Sequence, residues 1–127
     1  MTSISTWLAV ALGAAVGAPL RYLMDRALTD RVAGARAVAQ FPWGLTFVNV
    51  FGSAVAGIVL ATTTGDLRVL LLVGFCGAFT TLSGFAWESD RLWPQARGAF
   101  WLAVVVVPVA CVAAFVVAWQ SALIAVS

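Results

Sequence analysis

The sequence predicts an all-α integral membrane protein with four transmembrane helices, one domain over residues 1–127. Hydrophobic residues make up 63% of the chain and charged ones 9%, and the mean hydropathy is +1.04, too apolar for a soluble domain of this size. The charge-free stretches are Met1 to Leu20, Ala37 to Gly65, Val69 to Trp87 and Gly98 to Ser127. A helix needs roughly 20 apolar residues to cross a bilayer, so each stretch holds one span and none is left for a soluble domain. No basic residue precedes the first apolar run, so the N-terminus reads as a span rather than a secretory leader.

The first helix is expected over about Ser5 to Leu28, with Pro19 marking a kink or break inside it. A short charged loop, Thr29 to Gln40, follows. The second helix is expected over about Trp43 to Ala61, where Phe41, Pro42 and Trp43 combine an interfacial aromatic anchor with a proline at the helix start. A six-residue connection, Thr62 to Leu67, leads to the third span. Glu88 to Arg97, with four charges and Pro94, reads as the next loop. The fourth helix is expected over about Gly98 to Val126, bent at Pro108. Gly13, Gly17, Ser53 and Gly57 are small enough to let helix backbones approach.

The third span has a composition that crossing a bilayer does not require. Gly74 to Phe85 (GFCGAFTTLSGF) sets three glycines, two threonines and a serine among bulky apolar residues. Such a segment is expected to leave the helical path midway. Hydrocarbon cannot hydrogen-bond the backbone groups so freed, so irregular backbone at that depth must be buried in protein or line a wet cavity. Freed carbonyls between Gly74 and Thr81 suit a hard cation such as Na⁺.

Several chemistries are excluded by what is missing. Histidine is absent and all seven cationic residues are arginine, which removes the commonest general base, the usual transition-metal ligand and the Schiff-base amine. Cys76 and Cys111 lie in different spans with no Cys-x-x-Cys spacing and read as packing residues. A formal charge of +2 argues against a nucleic-acid partner. No Asp or Glu lies inside a span core, whereas a proton-coupled or cation exporter normally needs one. A small four-span multidrug exporter, which depends on a glutamate in its first helix, is therefore the weaker alternative: no acid precedes Asp25.

The remaining polar groups suit an anion. Thr46, Asn49, Ser53 and Gly57 follow one another at three- and four-residue steps and fall along one stripe of the second helix. Taken alone the stripe reads as a packing face, but Asn49 brings two donors and an acceptor to mid-span, either to clamp a neighbouring helix or to face a solvated path. Arg21 either snorkels to the interface or attracts an anion at a pore mouth. Thr81, Leu82 and Phe85 are spaced to share a face, where the positive edge of a phenyl ring can touch a small anion.

At these residues the chain resembles the CrcB/Fluc family of small fluoride channels, over almost its whole length. The carrying segments are GAAVGAPLRY (Gly13 to Tyr22), FPWGLTFVNVFGSAVAG (Phe41 to Gly57) and GFCGAFTTLSGF. The resemblance implies an antiparallel, dual-topology dimer in the cell membrane, two fluoride pathways with Thr81 and Ser83 near them, and a central Na⁺ that is bound but not transported. It implies that Asn49 is the pore asparagine, Phe85 the second of two pore phenylalanines and Arg21 the vestibule arginine. It implies that the main-chain carbonyls of Gly77 and Thr80 bind the Na⁺, so that a valine at Gly77 would disturb the turn. Two departures stand out: Leu82 occupies the first pore phenylalanine's position, and the fourth span lacks the tyrosine and serine expected along the pore.

The expected function is passive fluoride export with no reaction catalysed, the further alternative being a non-conducting subunit of a heterodimeric channel. Arg26, Arg31, Arg36, Arg91 and Arg97 flank the first and third loops, against Arg68 alone on the other side. Arginine-rich short loops stay cytoplasmic, so the chain should insert mainly one way, with both termini outside. A biased chain in an antiparallel assembly calls for an oppositely oriented paralogue as partner.

Overall fold

The computed structural model describes residues 3–32 and 41–127, and all regular structure among them is helical. Helix α1 is Ile4–Val32 and α2 is Trp43–Thr62. Helix α3 spans 65–79 and is wound in three parts: an α-turn Gly65–Arg68, a π-helical stretch Val69–Cys76 and a closing turn Gly77–Phe79. Helix α4 is Leu82–Gln95 and α5 is Arg97–Val126. Among the described residues four segments are long and apolar enough to cross a membrane, with α3 and α4 together forming the third. The protein is a multi-pass membrane protein.

Three expected boundaries are corrected. Helix α1 continues four residues past Leu28 and passes through Pro19 without a break. The expected loop at Glu88 to Arg97 is helical as far as Gln95, with Pro94 inside the helix. The charges there do not end the helix, which runs on with Ser89 and Leu92 buried on its inner face. The connection before the third span shrinks from six residues to Thr63 and Thr64, and Gly65 makes the turn at φ +60, a left-handed conformation that glycine adopts without steric cost. Arg68 closes this corner. Its Nε donates to the Thr63 carbonyl at 2.7 Å and its Nη2 to that of Leu60 at 3.1 Å, satisfying carbonyls at the end of α2. The loop residues 33–40, with Arg36, lie outside the described residues.

The most extensive pairings are α2 with α5 and α1 with α3. Both use glycine to bring backbones together. A Cβ at Gly13 would lie 2.6 Å from the Phe75 nitrogen, one at Gly17 would collide with the Phe75 carbonyl, and one at Gly74 would lie 2.8 Å from the Val10 carbonyl oxygen. Gly57 likewise lies against the backbone of Phe115 and Trp119. Lipid tails are as apolar as the side chains, so close van der Waals contact of this kind drives helix association in membranes. Helix α4 packs on α5 through Leu92, Ala103 and Val107, with Phe85 and Phe100 around them.

Candidate functional site

The third span is interrupted inside the segment singled out by its composition. Thr80 (φ −84, ψ 156) and Thr81 (φ −148, ψ 119) are both extended, between the end of α3 and the start of α4. The Thr80 N–H and Oγ1 both donate to the Cys76 carbonyl at 2.9 Å, which ends α3. Thr81 then caps α4: its Oγ1 accepts the Gly84 N–H at 3.1 Å. The two half-helices meet with opposite poles, carbonyls on the α3 side and N–H groups on the α4 side.

Asn49 holds the break. Its Oδ1 accepts the Thr81 N–H at 2.7 Å and its Nδ2 donates to the Thr81 carbonyl at 3.2 Å. The residue is buried, only 8% exposed. An intramembrane polar contact contributes about 0.6 kcal/mol, but an unmet backbone group in hydrocarbon costs several times that. One Nδ2 hydrogen remains for another acceptor. The rest of the expected stripe divides. Ser53 bonds back to the Asn49 carbonyl at 2.7 Å, Gly57 serves packing, and the buried Thr46 Oγ1 has no partner among the described residues.

Phe79 is 2% exposed and its ring contacts those of Phe51 and Phe75, at centroid distances of 6.0 and 5.5 Å. Gly52 faces it: a Cβ there would lie 2.5 Å from Thr80 Cγ2 and 3.0 Å from Phe79 Cδ1. Helix α2 thus sets the break through two positions, Asn49 and Gly52.

Two hollows flank this centre. The larger, about 740 Å³, lies where α1 and α4 end and α2 begins, and Arg21, Asp25, Arg26, Ser83, Glu88 and Arg91 are among its lining residues. Arg26 pairs with Asp30 at 3.9 Å and donates to the Tyr22 hydroxyl, and Arg91 pairs with Glu88 at 3.7 Å. Arg21 lines this hollow and makes no ion pair or hydrogen bond among the described residues. Ser83 lines the same hollow, and its hydroxyl is 3.2 Å from that of Thr81. The smaller hollow, about 350 Å³, is lined by Gly52, Ser53, Cys76, Gly77, Thr80 and Cys111, with Leu72, Ala56, Val112 and Phe115 completing it.

Not every expected site residue meets the others. Leu82 is 81% exposed, whereas Phe85 is half-buried against the α4–α5 core. Thr81 lies outside the helix, so it does not share a helical face with them. Phe85 and Asn49 line neither hollow. Gly77 has φ −62 in the right-handed region, and a Cβ there meets nothing nearer than the Leu72 carbonyl oxygen at 4.0 Å. The expectation that a larger side chain would disturb the turn therefore has no steric cause within this chain. Among the described residues no group of three or more His, Cys, Asp or Glu could hold a metal. Of the two readings open to Asn49, the clamp on a neighbouring helix is the one its hydrogen bonds show, and Thr81 is the partner that its sequence position did not reveal.

Comparison with known proteins places these features in context. Residues 8–122 match the family model described as CrcB-like protein, Camphor Resistance (CrcB). The chain is 41% identical over 99 residues to the fluoride-specific ion channel FluC 1 of Streptomyces avermitilis, covering 74% of this chain and 76% of that protein. It is 34% identical over 125 residues to the fluoride-specific ion channel FluC of Solibacter usitatus, covering 94% and 97%. A third relative, the fluoride-specific ion channel FluC of Koribacter versatilis, is 41% identical over 93 residues, covering 68% and 70%.

Proposed function

The chain belongs to the CrcB-like family, and on that premise we propose that it forms a passive, fluoride-selective channel that lowers cytoplasmic fluoride. No reaction is catalysed; the relatives are named as ion channels. One structural observation carries the reading: a transmembrane helix broken at Thr80 and Thr81, held by a buried amide, beside a mouth that contains an unpaired arginine. Arg21 draws the anion in, and the Ser83 and Thr81 hydroxyls offer donors below it. Asn49 and Phe85 line neither hollow of the single chain, so on this reading the remaining Nδ2 hydrogen and the ring edge would meet the anion along a path completed by a second subunit. Leu82 contributes no positive ring edge, and its exposure leaves it facing lipid or a neighbouring subunit.

The donor set near the break fits Na⁺. In a continuing helix the Gly77 carbonyl would accept the Thr81 N–H and the Thr80 carbonyl the Gly84 N–H, yet both donors are engaged elsewhere. Gly77 and Thr80 would hold the ion, which supplies fixed positive charge at the assembly's centre and is not transported. Two oxygens fall short of a hard cation's coordination number, so a second subunit supplies the rest. An antiparallel dimer meets that requirement. A heterodimer with an oppositely oriented paralogue has support of its own: α5 brings Cys111, Val112 and Phe115 to the smaller hollow and no hydroxyl. In that case this chain lines only part of the pathway.

Fluoride-electrode recording of efflux from liposomes tests the function. Efflux that is selective over chloride, with this chain alone or with a companion subunit, is the expected result. An intact assembly that passes no fluoride in either preparation refutes the reading.

A further inference from the structure

The Asn49–Thr81 pair is placed to do more than line a pathway. The four carbonyls of Gly77, Ala78, Phe79 and Thr80 follow the last closed turn of α3, whose final bond is that from the Thr80 N–H to the Cys76 carbonyl. In an unbroken helix the donors for the Gly77 and Thr80 carbonyls would be the N–H groups of Thr81 and Gly84. The first is held by Asn49 Oδ1 at 2.7 Å and the second by Thr81 Oγ1 at 3.1 Å. Two diversions centred on Thr81 therefore release two carbonyls, Gly77 and Thr80, whose residues line one hollow. The diversion is directional. Asn49 engages the N–H of Thr81 through its oxygen, and its nitrogen meets the carbonyl of the same residue, so the peptide units on both sides of Thr81 are held against one side chain. Burial of Asn49 favours the pair, since losing either bond would leave a buried polar group unmet.

We propose that Asn49 and Thr81 are positioning residues for the central cation: by removing the Thr81 and Gly84 N–H groups from the helical ladder they keep the Gly77 and Thr80 carbonyls free to bind it. This rests on the Na⁺ reading above and assigns Asn49 a role distinct from donating to the anion. Without Asn49 Oδ1 the Thr81 N–H falls back on the Gly77 carbonyl, the helix advances one bond and the cation loses a ligand. A carboxylate in its place still accepts the Thr81 N–H, the bond that makes the diversion, but loses the donor to the Thr81 carbonyl and harms anion passage. The two roles separate at this point.

The test is the Na⁺ dependence of thermal melting of the purified full-length assembly, with N-methylglucamine as the replacement cation, run beside fluoride efflux. Wild-type protein should melt at higher temperature in Na⁺; indifference to Na⁺ overturns both the cation reading and this inference. Given a wild-type response, Asn49→Ala should lose it and Asn49→Asp should retain it, with efflux suppressed in both. Phe85→Ile should lose efflux and keep the full Na⁺ response. Thr81→Ser should retain the response and Thr81→Val should weaken it. An Asn49→Ala protein that keeps the wild-type Na⁺ shift overturns the positioning role while leaving the cation reading intact. Should Asn49→Ala fail to assemble, a folded Thr81→Val protein that keeps the full wild-type Na⁺ response overturns it equally.

Discussion

Replacing Gly52 by alanine puts one methyl group against the break. Its Cβ would lie 2.5 Å from Thr80 Cγ2 and 3.0 Å from Phe79 Cδ1. Carbon atoms in contact sit about 3.5–4.0 Å apart, so the nearer pair must separate by about 1 Å. Thr80 cannot simply turn its methyl away, because its Oγ1 and N–H are both bonded to the Cys76 carbonyl at 2.9 Å. Phe79 is held between Phe51 and Phe75 and is nearly inaccessible. Overpacking of this kind costs about 1–3 kcal/mol. If the strain is relieved by moving Thr80 and Thr81 out of position, each 1.4 kcal/mol removes tenfold from the competent population, so efflux should fall roughly 5- to 150-fold. The assay is fluoride-electrode efflux from liposomes, paired with melting of the detergent-solubilised protein. Gly98→Ala is the matched control, since a Cβ there meets nothing within 4 Å, and it should leave efflux unchanged. Wild-type efflux and melting in Gly52→Ala would show that Thr80 and Phe79 are not packed on α2, and the account of how the break is set would fail.

Four further outcomes are expected. Asn49→Asp and Phe85→Ile should each suppress fluoride efflux, and unchanged efflux in both, with the assembly intact, removes them from the pathway. Gly77→Val should leave the helix of the single chain in place, because φ is −62 and the nearest atom is 4.0 Å away; it should instead weaken subunit association, read by light scattering on a sizing column, and normal association would mean that no second subunit approaches there. Arg21→Gln should slow efflux more at 0.01 M than at 0.15 M ionic strength, where charges are screened beyond about 8 Å, and a loss independent of salt would contradict steering from the mouth. With Cys76 and Cys111 replaced and single cysteines placed at the termini, labelling of intact cells should come mainly from outside; equal labelling from both sides, with robust efflux from this chain alone, would rule out a biased chain needing an oppositely oriented partner.

The number of spans, their order and the approximate site of the break were legible in the sequence, because each is a local property. Hydrocarbon selects for charge-free runs about 20 residues long, and glycine, threonine and serine clustered mid-span weaken a helix wherever they occur. The uses of Gly13 and Gly17 could also be anticipated, since only small residues let membrane helices touch backbone to backbone. Charge was less reliable. The charges from Glu88 onward did not mark the end of α4, and Arg68, read as a lone loop cation, turns out to close the carbonyls at the end of α2.

Tertiary structure decided what depends on partners far apart in the chain. The residue at which the third helix parts, and the destination of each hydrogen bond it releases, follow from Asn49 lying beside Thr81, which is 32 positions away. Helical periodicity puts Leu82 and Phe85 near one another, but only the packing of α4 on α5 buries one and leaves the other exposed. A helix's own bonds repeat from residue to residue and can be read along the chain. A broken helix has to find its donors and acceptors through space, and the fold alone determines which ones are within reach.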